Sequence, residues 1–124
     1  MRLGVLAASI AAILAIAAAA SGEATHTYAV TLTIAVDRSA GEISGTISSE
    51  APAEFCEMST VRVRAVMPGR DKVVARIFPN LAEWHMKTFP AIRGMRVYAE
   101  VSSYHLPQRP VECLGARSRA VTAP

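Results

Sequence analysis

After the first 24 residues, apolar and polar positions alternate through most of the chain. In residues 28–36, Tyr28, Val30, Leu32, Ile34 and Val36 fall on one face, with Ala and Thr on the other. A period of two predicts a half-buried strand. Asp37-Arg38-Ser39-Ala40-Gly41 reads as a turn. A second strand follows, with Ile43, Gly45 and Ile47 opposite Ser44, Thr46 and Ser48. Residues 49–59, carrying Pro52 and Cys56, read as a longer loop. Next, Val61, Val63 and Ala65 alternate with Arg62 and Arg64, giving a strand with one apolar and one charged face.

Met67-Pro68-Gly69-Arg70-Asp71 is a turn into a strand over residues 73–78, and Pro79-Asn80 ends that strand. A fifth strand is expected over residues 83–89, with Trp84 filling the core. Residues 90–94 turn the chain again. Met95, Val97, Ala99 and Val101 then alternate with Arg96, Tyr98 and Glu100, and Tyr98 is a candidate corner tyrosine. Residues 102–112 hold Pro107 and Pro110 and read as a loop, and residues 116–122 close the pattern as a last strand. No long amphipathic helix and no repeat is seen. About seven short, one-sided strands predict an all-β fold, an antiparallel β-sandwich of two facing sheets.

The first 24 residues follow a different rule. Met1-Arg2 carries a positive charge, residues 3–20 carry none, and small residues follow at Ala18-Ala19-Ala20 and Gly22-Glu23-Ala24. That order predicts a helical secretory signal peptide over residues 1–24, cleaved between 20 and 24, ahead of a single β-sandwich domain at 25–124. The competing reading is an uncleaved membrane anchor, because an apolar run of ~18 residues just reaches across a bilayer. Its second half is mostly alanine, and no basic cluster follows it. The expected location is therefore secreted or periplasmic, or membrane-anchored if the leader is retained.

Export changes the meaning of the two cysteines. Cys56 and Cys113 are the whole complement, and an even count in an exported chain reads as one intramolecular disulfide. Free thiols or an intermolecular bridge are the alternatives. Closing so long a loop contributes roughly 4 kcal/mol by the chain-entropy argument. A domain of about one hundred residues has an adequate but not generous core, so such a staple matters.

Charge adds less. The formal net charge is +3 and falls to about +2 when Arg2 leaves with the leader. The basic residues are nearly all arginine, are interleaved with acidic ones and form no run, which argues against nucleic-acid binding. They are read as solvated strand faces.

Gly45-Thr46-Ile47-Ser48-Ser49, the cysteine that follows and Val61-Arg62-Val63 resemble the opening of small secreted bacterial immunoglobulin-like domains, similar to carboxypeptidase-regulatory-like sandwiches. Tyr98-Ala99-Glu100-Val101 and Cys113-Leu114-Gly115-Ala116-Arg117-Ser118 resemble the closing strands of that group. The resemblance covers residues 28–122. It implies an Ig-like sandwich and an exported location, and it carries no catalytic residues.

Candidate chemistry is sparse. His26, His85 and His105 stand far apart, in no metal-ligand spacing. Glu83, His85 and Lys87 share one strand face, so a small hydrolase or metal-dependent enzyme using Glu83 and His85 is the alternative function. No nucleophile elbow and no phosphate-cradling glycine loop occurs. The expected protein is an exported, non-catalytic domain, a monomer without cofactor or metal, with no membrane contact once the leader is cleaved. Its partner would be a protein or a glycan. The residues expected to meet that partner are Phe55, Tyr104, His105 and Arg109, in the two loops that the disulfide would rigidify.

Overall fold

A computed structural model of the chain describes residues 25–124, and the predicted signal peptide lies outside the described residues. The fold is an all-β sandwich of short strands. One sheet is built on β4 (Glu42–Ser49), the longest strand. Its inward residues Ile43 and Ile47 are fully buried. β2 (Val30–Leu32) and β3 (Ala35–Asp37) lie end to end along one side of β4, and β7 (Glu83–Lys87) along the other, all antiparallel. The second sheet has the order β11-β8-β5-β6, formed by Ala116–Arg117, Arg96–Val101, Val61–Ala65 and Lys72–Ile77. β12 (Val121–Thr122) continues β11 along β8.

The apolar faces meet between the sheets. Leu32, Ile34, Ile43, Ile47 and Trp84 come from the first; Val61, Val63, Val97, Ala99 and Val121 come from the second. Every predicted inward position from Val61 to Ala65 is fully buried, as the alternation requires. Trp84 is the largest of the fully buried side chains, and its indole N–H has no acceptor among the described residues.

Two predicted strands are each broken into shorter ones, and by the same device. Thr33 donates its backbone N–H to the Thr46 carbonyl, but the return bond from Thr46 N–H goes to the Thr33 hydroxyl instead of its carbonyl. Likewise Ser118 donates N–H to Ala99, while Ala99 N–H is accepted by the Ser118 hydroxyl. Each hydroxyl satisfies a ladder donor, a buried one in the case of Ala99, and interrupts the strand where it does so. The pairing of residues 30–37 with β4 keeps one register across the gap, whereas β11 and β12 differ by one residue in their pairing with β8.

The turn before the tryptophan strand is tight. Asn80 and Glu83 exchange both backbone hydrogen bonds, leaving Leu81 and Ala82 at φ 51° and 64°. Such turns favour Asn and Gly, so this one carries strain.

Residues 102–112 are not a plain loop. β9 (Tyr104–His105) and β10 (Val111–Cys113) form a hairpin, with Gln108 at φ 65° in its turn. β1 (His26–Tyr28) adds to β10 in parallel, an exception to the antiparallel expectation. The predicted loop at 49–59 holds one turn of helix, α1 (Ala53–Cys56). Pro107 and Pro110 hide the hairpin from a pattern reading, because proline breaks alternation whether or not the neighbours pair.

Candidate binding face

The three-stranded sheet and α1 enclose a second, smaller core. Its buried residues are Ala51, Cys56, Val111 and Cys113, with Tyr28, Phe55, Tyr104 and Leu106 packed against them. Cys56 and Cys113 are disulfide-bonded at its centre, their Cα atoms 5.6 Å apart. Cys113 pairs with Tyr28 on one side and Tyr104 on the other, so two aromatic rings flank the strand position of the bond. The bond therefore sits at the junction of the two loops predicted from sequence.

Three of the four predicted contact residues come together there. The Tyr104 hydroxyl donates to the Phe55 carbonyl. The Arg109 guanidinium lies 5.1 Å from the centre of the Phe55 ring, a cation–π contact. His105 is apart. It follows Tyr104 on a strand, so its side chain takes the opposite face, where it is exposed beside Glu112 in the pairing.

Next to this module the outer face of the β11-β8-β5-β6 sheet carries a charged row. Arg76, Arg62, Glu100 and Arg117 lie in register across β6, β5, β8 and β11. The alternation that buries Val61, Val63 and Ala65 is what turns Arg62 and Arg64 outward. Glu100 serves several of these arginines. It lies 2.7 Å from Arg64 Nε, 3.0 Å from Arg62 Nη2 and 3.9 Å from Arg117 Nη2. Arg76, on the edge strand, makes no ion pair among the described residues and is exposed.

Tyr98 closes this face toward the β5–β6 turn. Its hydroxyl donates to Asp71 Oδ2 at 2.6 Å, and the Arg117 guanidinium lies 4.5 Å over its ring. The bond runs to a side chain of the preceding turn, so Tyr98 is not the corner tyrosine expected from its strand. The Tyr98 hydroxyl and the Met67 backbone N–H hold the Asp71 carboxyl below its ordinary value. Burial and the bond to Asp71 raise the Tyr98 phenol.

Replacing Tyr98 by Phe tests this directly. A lowered folded-state value for Asp71 contributes stability that is present above the ordinary carboxylate range and lost as the pH falls through the folded value. In Tyr98→Phe, NMR titration should show the Asp71 carboxyl moving up toward its ordinary value, and the acid-side loss of stability should shrink. An unchanged Asp71 titration would exclude the tyrosine as its cause.

A shallow, open cleft of about 530 Å³ joins the charged row to the disulfide module. Arg62 and Arg76 line it from the sheet, Ser59 and Thr60 from the segment after α1, and Ser102 and Tyr104 from the start of the hairpin. Arg62 reaches across it to donate to the Ser102 hydroxyl. No family model matches the chain, and neither do curated proteins or solved structures. The geometry of this face is accordingly what the functional reading rests on.

Glu83, His85 and Lys87 project from the other sheet. Glu83 and His85 are exposed on β7, opposite Thr46 and Ser44. Among the described residues no three His, Cys, Asp or Glu side chains gather in a way that could hold a metal ion. The arginine row was missed by sequence reasoning. The signal for it was the Val61-Arg62-Val63-Arg64 alternation, which sets a charged face but does not say which strands lie beside it.

Proposed function

We propose that this chain is an exported, non-catalytic domain of Ig-like type that binds a partner at the cell surface, in the periplasm or in the medium. The observation that carries this reading is the disulfide-centred module. One covalent bond sits where Tyr104 and Arg109 each meet Phe55, and Tyr104 also lines an open cleft carrying Arg62 and Arg76. Side chains ordered before a partner arrives lower the entropic cost of binding it. The leader and the disulfide support export together, since such bonds persist in oxidising compartments. The Ig-like reading is supported by the strand order, three strand positions facing four.

The test is capture of envelope or medium components on the immobilised protein, against a Tyr104→Phe, Arg109→Gln variant. These changes remove the hydroxyl bond to Phe55 and the cation over its ring. A specific partner should be retained by the parent protein and recovered at least about tenfold less on the variant, as expected for central contacts. Equal recovery of every component would remove the module from the binding role.

A further inference from the structure

The cleft carries a more specific chemistry than binding in general. Arg62 and Arg76 stand directly opposite each other on neighbouring strands. Like charges in that position repel. The carboxylate beside Arg62, Glu100, is already shared with Arg64 and Arg117 and does not reach Arg76. Arg62 commits Nη2 to Glu100 and Ser102, and Arg76 has no ion-pair partner among the described residues. The two guanidinium groups therefore present donors to the cleft with too little negative charge to meet them. Ser59, Thr60 and Ser102 add hydroxyls around the same space, and Tyr104 adds an aromatic wall.

We infer that this cleft binds a carboxylate-bearing glycan, Arg62 and Arg76 taking the carboxylates and the serine and threonine hydroxyls taking the sugar hydroxyls. The inference rests on the binding-domain reading above and names its ligand. A guanidinium fork matches a planar carboxylate, and an incoming acid relieves the repulsion between the two arginines. An extended peptide could pair only with the outer edge of β6, since β5 beneath Arg62 is paired on both sides by β6 and β8. Across the rest of the cleft a ligand meets guanidinium groups, the Ser59, Thr60 and Ser102 hydroxyls and the apolar sides of Met58 and Tyr104, which suit the hydroxyls and C–H faces of a sugar.

The experiment is isothermal titration of the purified full-length protein with oligogalacturonate at about 150 mM salt, where long-range attraction is largely screened. Neutral dextran, dextran sulfate and poly-glutamate are titrated alongside. Oligogalacturonate should bind and dextran should not. Arg76→Gln should weaken binding about tenfold or more, the usual effect of losing a charge-assisted bond, while the melting temperature does not fall, since the change also relieves the repulsion with Arg62. Arg76→Lys should fall between, because lysine keeps the charge without the fork.

Absence of binding to oligogalacturonate, or full affinity in Arg76→Gln, would overturn the inference. So would equal or tighter binding of dextran sulfate or poly-glutamate. If oligogalacturonate fails while capture still depends on Tyr104 and Arg109, the glycan assignment alone falls. If both fail, the binding-domain reading falls with it.

Discussion

Gly45→Ala should destabilise the protein by about 3 kcal/mol or more, with the denaturant midpoint falling accordingly. A Cβ at position 45 would fall on the Thr33 carbonyl oxygen and within 2.7 Å of the Trp84 ring. Neither neighbour can give way cheaply. Thr33 is held by its N–H bond to Thr46 and by the Thr46 N–H bond to its hydroxyl. Trp84 is fully buried between the sheets. Relief requires either parting the first strand from β4 or displacing the largest side chain of the core. The fitting control is Gly69→Ala. Gly69 has φ +87° with nothing near its missing Cβ, so that change strains only the local backbone and should cost about 1 kcal/mol. A Gly45→Ala loss no larger than that of the control would mean that the strands do not approach so closely.

Loss of the disulfide should rank with it. The bond joins residues 57 apart in sequence. A closed loop of that length contributes roughly 4 kcal/mol by constraining the unfolded chain. At roughly 4–8 °C per kcal/mol for a domain near 100 residues, Cys56→Ala with Cys113→Ala should melt some 15–30 °C lower. The damage should also be uneven. The disulfide cluster is separate from the main core, and Val30 packs against both. In the double variant, amides of β9 and β10 should exchange much faster than those of β5, which is paired on both sides. Melting with and without reductant, followed by hydrogen exchange, checks both parts. A drop of less than about 1 kcal/mol, or uniform loosening, would show that the small core holds without its bond.

These two effects differ in how far the sequence alone foretells them. The disulfide was expected from composition and the predicted leader, because two cysteines allow a single intramolecular pairing and export would favour it. The importance of Gly45 was not. In the sequence it is a small residue on the inward face of a strand, and only the crossing of Thr33 and Trp84 over it shows why a side chain cannot stand there. The hairpin at β9 and β10 was hidden for a related reason. Two prolines interrupt its pattern, and its pairing is decided by a strand from the far end of the domain, β1.

The proposed binding residues divide in the same way. Phe55, Tyr104 and Arg109 were reachable because they flank the cysteines, and a covalent link brings its flanks together wherever the rest of the chain goes. His105 was grouped with them by proximity in sequence, but alternation along β9 sends it to the other face. The arginine row could not be read from the chain. Arg62, Arg76, Glu100 and Arg117 lie in four separate segments, and nothing in any one of them names its neighbours.

By itself, the sequence determined the all-β class, the inward and outward faces of the principal strands and the cysteine pair. Those properties depend on the period-two geometry of an extended chain and on how many cysteines there are, both of which are local or compositional. Tertiary structure alone decided which strands adjoin, where the Thr33 and Ser118 hydroxyls interrupt them, and that three distant segments set Arg62, Arg64 and Arg117 around Glu100. Strand order and register come from the fit of two whole faces against each other, a sum over many weak contacts that no single segment contains.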